Sequence, residues 1–467
     1  MHNLVYLTQF LATIAGVMFI YGLDARQVLP TGIRPGRDMP LWAFVVFGLG
    51  LLVFESVSVV ASVPSDTFWD FLNAYYLAGK AAWHNDHGLL RDLIGRGHTG
   101  FVNIPIVAYA LAPLGALPPL LAALVMTIVG LALTLATWFM LVRLARLEVR
   151  EQWLLGFLFL ANGPLINGIK WGNLSYYILP ALAGGLLLLR MGRSGWAGVL
   201  LGLAAVIKPP LALFGIFFLL RRDWRGLFGF ACVGLLTILA SLVVFGWADN
   251  LYWFEHCIVG YSQNWLATAA VQSVCAFILR FEAGARMVGF FPQAPSQGQK
   301  LLAQLITLAI FLFAALAAMR PFTPGKDLTE ADKELRRDLQ YLLILCVCLI
   351  SSPLNWAHYY AWLLIPTAYF LAAQARASFP RGARRVGWAA IAMVTPLVGL
   401  AWTGPQGPLM VLYRCLFVSH LFIGGLLFVG LVGWWLAHTG GLLTTKDQAQ
   451  HDTHIRFRPF ANWITPK

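Results

Sequence analysis

Hydrophobic residues in this chain gather in long unbroken runs, separated by short polar or basic connections. The runs centre on residues 3–22, 41–62, 119–142, 152–168, 174–190, 225–246, 300–319, 338–352, 357–374, 386–403 and 411–437. Many approach the roughly 20 residues that a helix needs to cross a hydrocarbon core about 30 Å thick. Helices are the expected spanning element because they satisfy their own backbone hydrogen bonds in lipid. A twelfth apolar region, 196–220, is broken by Lys208-Pro209-Pro210 and has arginines at both ends (Arg193; Arg221, Arg222, Arg225). Like charge at both ends means that the chain enters and returns, as a re-entrant hairpin or as two short spans. The pattern predicts an all-α polytopic membrane protein with about 11–13 transmembrane helices.

Composition agrees. Of 467 residues 59% are hydrophobic and 11% charged, against roughly 25% charged in a soluble domain, and the mean hydropathy is +0.72. The net charge of +13 would suggest nucleic acid in a soluble protein, but here it follows topology. Alternating the loops puts 24 of the 33 Lys and Arg on one side and 8 on the other, with Lys208 inside the broken region. The richer side is cytoplasmic by the positive-inside rule, so the N-terminus is expected outside and the C-terminal tail inside. The first run lacks a basic n-region and a convincing cleavage site, and reads as a retained span. The expected organisation is an extra N-terminal span and loop (1–40), a transmembrane catalytic domain (41–437) and a flexible cytoplasmic tail (438–467). The six cysteines lie mostly in apolar runs and indicate neither a disulfide framework nor a metal site.

Two outward loops are long, 63–118 and 248–299. The first interleaves Phe68, Trp69, Phe71, Tyr75, Tyr76 and Trp83 with charged residues, as helices in the membrane interface do. The stretch 104–117 is too short to span and is expected to dip into the membrane. The mixed-charge stretch 326–338 reads as a solvated cytoplasmic connector. Asp66 and Asp70 stand at the outer bilayer edge among aromatics, where a carboxylate is either functional or paired. Helix capping by Asp66 and a salt bridge to Lys80 are the structural alternatives. His84 and His87 share a helical face without a complete ligand set, so no metal is expected.

The order of several short motifs then points to a family. Asp70-Phe71 is followed by Tyr75-Tyr76, Ala78-Gly79, Asn103-Ile104-Pro105, Ala112-Pro113-Leu114 and Leu117-Pro118. Further on come Lys170-Trp171-Gly172-Asn173, the run from Ala197 to Lys208-Pro209, Gln272-Ser273 with Arg280, and Ser352-Pro353-Leu354-Asn355-Trp356-Ala357-His358-Tyr359. From about residue 64 to 375 the chain resembles glycosyltransferase family 87, integral-membrane transferases of the GT-C class that take sugar from a polyprenyl-phosphate donor.

The resemblance implies a GT-C-type fold and inverting transfer to a hydroxyl of a lipid-linked or membrane-proximal glycan, on the outer face of a bacterial cytoplasmic membrane. It implies no cofactor. Asp70 matches the expected base, with Asp66 in reserve. Lys208, Arg280 and His358 are the candidates for the lipid-phosphate leaving group. Lys208 could instead snorkel to an interface, and Arg280 could be an ordinary span-end arginine. Lys170, Asn173, Tyr76, Trp356 and Gln272 complete the candidate substrate-binding set; aromatic-belt residues share such positions. Neither the sugar nor the acceptor is legible. A flippase or transporter of a lipid-linked saccharide is the alternative, disfavoured because no internal repeat is evident and the polar features gather on one side.

Overall fold

The computed structural model describes residues 67–282, 290–320, 329–372, 375, 379–396 and 408–438, with side chains from 411 in the last stretch. The expected spans at 3–22 and 41–62, Asp66 and the tail beyond 438 lie outside the described residues.

The segment expected as the first outward loop is, from residue 67 on, a packed layer of short helices. A π-turn, Phe71–Tyr75, leads into α1 (Tyr76–Trp83), followed by α2 (His87–Gly95) and α3 (Val107–Gly115). Asp86 starts α2 by accepting from the Leu89 amide at 2.9 Å. α1 and α3 cross at two glycines: a Cβ on Gly79 would run into the Leu111 carbonyl, and one on Gly115 into the Lys80 amide. The layer has its own core around Phe71, Tyr75, Leu93, Phe101 and Leu111. Interfacial aromatics here therefore also build a platform.

The membrane part follows: α4 (Pro119–Leu144), α5 (Val149–Leu160), α6 (Gly163–Trp171), α7 (Ser175–Arg190), α8 (Ser194–Ile207), α9 (Phe214–Leu220) and α10 (Trp224–Trp253). A two-residue strand β1 (Trp265–Leu266) and α11 (Val274–Leu279) come next. Then come β2 (Pro292–Gln293), antiparallel to β1, α12 (Gln297–Met319) and α13 (Glu330–Ser351). The chain closes with α14 (Leu364–Leu371), α15 (Arg381–Val394), α16 (Pro408–Leu416) and α17 (His420–His438). Among the described residues four helical stretches are long and apolar enough to cross a membrane: α4, α12, α17, and the one that begins with α10 and runs to Gln263. Val243 on α10 and Leu316 on α12 are 86% and 73% exposed, as lipid-facing side chains should be. Helical content and apolar surface make this a multi-pass membrane protein.

Several apolar runs are subdivided in ways the hydropathy alone does not reveal. The run 152–168 breaks at Asn162, whose side chain caps α6 by accepting from the Leu165 amide at 2.9 Å. The run 357–374 is a 3-10 segment, Ala357–Leu363, continued by the eight-residue α14. The stretch 326–338, expected as a solvated connector, is helical from Glu330, with a Thr329–Asp332 capping box. Its last residue, Asp338, is fully buried and accepts from Arg190 Nε at 2.7 Å and from the Tyr369 hydroxyl at 2.6 Å. Alternating charge marked this segment as exposed, whereas one of its carboxylates closes a contact between α7, α13 and α14.

The broken region divides as its prolines require. α8 has 14 residues, about 21 Å of helix, and ends at Lys208. A 3-10 turn, Pro209–Leu213, carries the chain into the seven-residue α9. Small residues let α8 lie directly on α10, where a Cβ on Gly198 would meet the Gly226 carbonyl and one on Gly229 the Gly195 carbonyl.

Candidate active site

Lys208 is placed by the residue that follows it. A residue before proline is driven out of the α region, and Lys208 sits at φ −131°, ψ 90° at the end of α8. Its amide still bonds the Ala204 carbonyl (2.8 Å), but its side chain leaves the helical course. The 3-10 turn diverts the Leu211 amide to the Lys208 carbonyl (3.0 Å), which frees the Ile207 carbonyl. Asn103 Nδ2 from the layer of short helices takes that carbonyl at 2.8 Å. The helix break is thereby fixed to the platform.

Asn173 is placed by a glycine. α6 ends at Gly172, with φ 63°, and the Asn173 amide reaches back to the Gly168 carbonyl at 2.9 Å, the six-to-one bond of a Schellman ending. A Cβ on Gly172 would lie 2.5 Å from Phe71 Cβ. This close approach brings the end of α6 against the π-turn that follows Asp70. Phe68, at φ 59°, donates its amide to the Lys170 carbonyl (2.7 Å) and ties the same two segments.

These placements bring Asp70, Asn173 and Lys208 together. Asn173 Oδ1 accepts from Lys208 Nζ at 3.0 Å and from the Ser175 amide at 3.1 Å. Its Nδ2 therefore faces Asp70 and donates to Oδ2 at 2.6 Å. Lys208 Nζ also lies 4.6 Å from the centre of the Tyr359 ring, a favourable cation–π placement. Burial pushes the Asp70 carboxyl above the usual carboxylate range; the Asn173 bond and the Lys208 charge oppose the rise in part.

All three line one cavity of about 360 Å³, with Lys170, Trp356 and His358 also in its wall. Lys170 Nζ lies 5.4 Å from the Trp171 ring. His358 stacks parallel to Trp356, with ring centres 6.2 Å apart, and its buried Nε2 meets no hydrogen-bond partner among the described residues. Six of the sequence candidates thus share one wall system.

Three others do not line this cavity. Tyr76 turns its hydroxyl to the Leu117 carbonyl (2.9 Å), and Tyr75, its neighbour, lines the cavity instead. Gln272 is fully buried and bonds the carbonyls of Ala269 (2.8 Å) and Val418 (2.7 Å) and the Phe422 amide (3.2 Å). Arg280, also fully buried, donates to the carbonyls of Ala267 (3.2 Å), Thr268 (2.7 Å) and Val271 and to the Ser419 hydroxyl (2.8 Å). Both fasten the 267–272 segment, which presents Ala270 to the cavity and receives the Ala357 amide at 2.7 Å. The cavity also holds His98 and Asn167, which were not singled out from the sequence, together with Trp69 of the interfacial aromatic set. No motif around His98 or Asn167 signals this, because the fold of the platform brings in the first and the course of α6 the second.

A half-buried carboxylate and two lysines line one cavity of this multi-pass helical protein and put a candidate base beside candidate anion-binding groups. The sequence matches Glycosyltransferase family 87 over residues 101–335, half of the chain, and the chain belongs to that family. The matched region contains Asn103, Lys170, Asn173 and Lys208. The chain is 28% identical over 243 residues to the polyprenol-phosphate-mannose-dependent alpha-(1-2)-phosphatidylinositol pentamannoside mannosyltransferase of Mycolicibacterium smegmatis, covering 51% of this chain and 52% of the relative. It is 29% identical over 177 residues to the polyprenol-phosphate-mannose-dependent alpha-(1-2)-phosphatidylinositol mannoside mannosyltransferase of the same organism, covering 37% and 36%. A Mycobacterium tuberculosis protein of the latter description is 26% identical over 180 residues, covering 37% and 36%. The chain thus spans from about a third to about half the length of these curated relatives.

Proposed function

We propose that the protein is a polyprenyl-phosphate-mannose-dependent mannosyltransferase that extends a lipid-linked, mannose-bearing acceptor. The observation that carries this reading is the Asn173 amide, which holds the Asp70 carboxylate and the Lys208 ammonium at one cavity. An acceptor hydroxyl is a weak nucleophile until a base takes its proton as the new bond forms. Asp70 serves as that base, and a carboxyl raised by burial is better matched to the task than an ordinary one. The acceptor oxygen attacks the anomeric carbon, the bond from that carbon to the phosphate oxygen breaks, and its electrons pass to the phosphate. One displacement inverts the anomeric centre.

The departing lipid phosphate gains charge, and preorganised cations stabilise such charge most strongly where water is scarce. Lys208 and Lys170 supply them, with the His358 ring beside them in the same wall. Trp356 and Trp171 offer faces for the sugar rings. Arg280, Gln272 and Tyr76 act at one remove, by holding the walls. The loop-charge bias supports a site on the outer face of the cytoplasmic membrane, where a polyprenyl-phosphate sugar and a lipid acceptor share one leaflet.

The test is transfer by purified protein in vesicles, given labelled polyprenyl-phosphate mannose and a phosphatidylinositol mannoside. A new mannosyl-acceptor bond is expected. Label moved across the bilayer with no new glycosidic bond would establish the transporter instead.

A further inference from the structure

The last turns of α6 present one face to the cavity. Asn167, Lys170 and Trp171 all line it, and spacings of three and four residues set them side by side on the helix, whereas Leu165, Ile166 and Gly168 are buried. The Trp171 indole donates through Nε1 to Asn167 Oδ1 at 2.7 Å. An indole N–H can only donate, so the amide atom it meets is the oxygen. That bond fixes the rotation of the Asn167 side chain. The other edge of the amide, Nδ2, makes no hydrogen bond among the described residues and retains accessible surface. Lys170 is its neighbour on the same face, with Nζ 5.4 Å from the centre of the Trp171 ring.

This face offers donors: the amide oxygen is turned to the indole, and an ammonium has no lone pair to give. A sugar hydroxyl bound here would leave its own hydrogen unanswered. A phosphate oxygen only accepts, and a hydrogen bond to a charged oxygen is roughly twice as strong as one between neutral groups. Bonding then selects among phosphates. In a polyprenyl-phosphate sugar one phosphate oxygen is attached directly to the anomeric carbon, so that phosphate must enter the cavity that holds the reacting groups. The phosphate of a glycosylated lipid acceptor is separated from the attacking hydroxyl by the rings between them. Resting on the glycosyltransferase reading of the cavity, we infer that Asn167 is a phosphate-binding residue. Its Nδ2, aimed by the Trp171 indole, donates to an oxygen of the donor's phosphate beside Lys170. Trp171 thereby acts on the phosphate through Asn167.

The experiment uses full-length protein in detergent micelles and three readouts: equilibrium binding of a sugar-free short-chain prenyl phosphate, KM for polyprenyl-phosphate mannose, and KM for a mannose-bearing lipid acceptor. Asn167→Leu removes the donor and keeps the bulk. It should weaken prenyl-phosphate binding and raise donor KM by about tenfold or more, with acceptor KM within a few-fold of wild type. Asn167→Asp keeps an oxygen for the Trp171 indole and puts a negative edge where Nδ2 stood. It should weaken prenyl-phosphate binding further, and it serves as the second probe if the Leu variant misfolds. Trp171→Phe keeps the amide but removes what aims it, so prenyl-phosphate binding should weaken by a few-fold. Unchanged prenyl-phosphate binding in both Asn167 variants overturns the inference. So does a donor KM that rises alone, which would turn the amide to the mannose, or an acceptor KM that rises alone, which would turn it to the acceptor. A wild type that binds the prenyl phosphate through Asn167 yet forms no glycosidic bond would sink the transferase reading and leave the phosphate contact standing.

Discussion

Asp70 and Lys208 occupy opposite ends of a single amide: Asn173 donates to the carboxylate and accepts from the ammonium. Linked this way, the two charges stabilise one another without consuming each other's remaining bonding capacity. In the proposed mechanism the second carboxylate oxygen takes the acceptor proton, and the other ammonium hydrogens serve the phosphate. Hydrogen bonds to charged groups contribute about 1.5–3 kcal/mol each. Asn173→Ala is therefore expected to lower the melting temperature in detergent and to reduce kcat by about 10–100-fold, part of what a positioned base supplies. Normal kcat in this variant would mean that the bridge is not needed for catalysis.

Asp70→Asn removes the proposed base while keeping the size of the side chain. Transfer should fall by about 10²–10⁴-fold in kcat, with donor binding within a few-fold of wild type in equilibrium measurements. Full turnover would disqualify Asp70.

The acid limb of the kcat profile provides an independent check on the same residue. In the proposed mechanism the active form is the carboxylate, and burial raises the Asp70 pKa above its ordinary value, outweighing Asn173 and Lys208, which lower it. Activity should therefore fall as pH drops through a midpoint above the usual Asp range. In Asn173→Ala one lowering influence is lost, so that midpoint should move higher still. A shift to lower pH in the variant would contradict the assigned electrostatics.

Much of the fold and part of the candidate site are legible in the sequence, and the reasons differ by residue. Lys208 stood out because a lone charge before two prolines in an apolar run is expensive, and the pre-proline restriction is local enough to read from sequence. Asn173 was readable as a motif member, but its bridging role depends on the Gly172–Phe71 approach between segments far apart in the chain. Arg280 and Gln272 look the same in sequence whether they face a ligand or a loop. Their carbonyl partners at Ala267 to Val271 and Val418 are backbone atoms, which leave no trace in side-chain patterns. Asp338 misled for a related reason: a charged stretch reads as solvated until Arg190 and Tyr369 fold over it. His98 was invisible because no spacing marks a residue whose neighbours are assembled by the platform.

Pro209→Ala tests the placement of Lys208 without altering any charged group. Alanine lifts the restriction that holds Lys208 extended and restores an amide donor, so α8 can take in Lys208 before Pro210 stops it. Lys208 Nζ then leaves Asn173. Transfer should drop at least about tenfold, equivalent to ~1.4 kcal/mol, while thermal stability holds or rises. Wild-type activity would show that Lys208 reaches the site without the break.

Arg280 and Lys208 are both buried cations, and their variants should fail in different ways. Arg280→Met leaves the carbonyls of Ala267, Thr268 and Val271 without their guanidinium donors, at about 1–3 kcal/mol for each buried group left unmade. A loss of several degrees in melting temperature should follow. The loosened 267–271 segment carries Ala270, to which Ala357 is bonded, so kcat should decline moderately together with stability. Lys208→Met removes a charge from the cavity itself. Its main effect should be on donor binding and kcat, accompanied by some loss of stability because the Asp70 carboxylate is left without its nearby cation. Donor KM, kcat and thermal midpoint measured on both variants separate the roles. An Arg280→Met protein of normal stability with a donor KM raised tenfold would return the guanidinium to the phosphate.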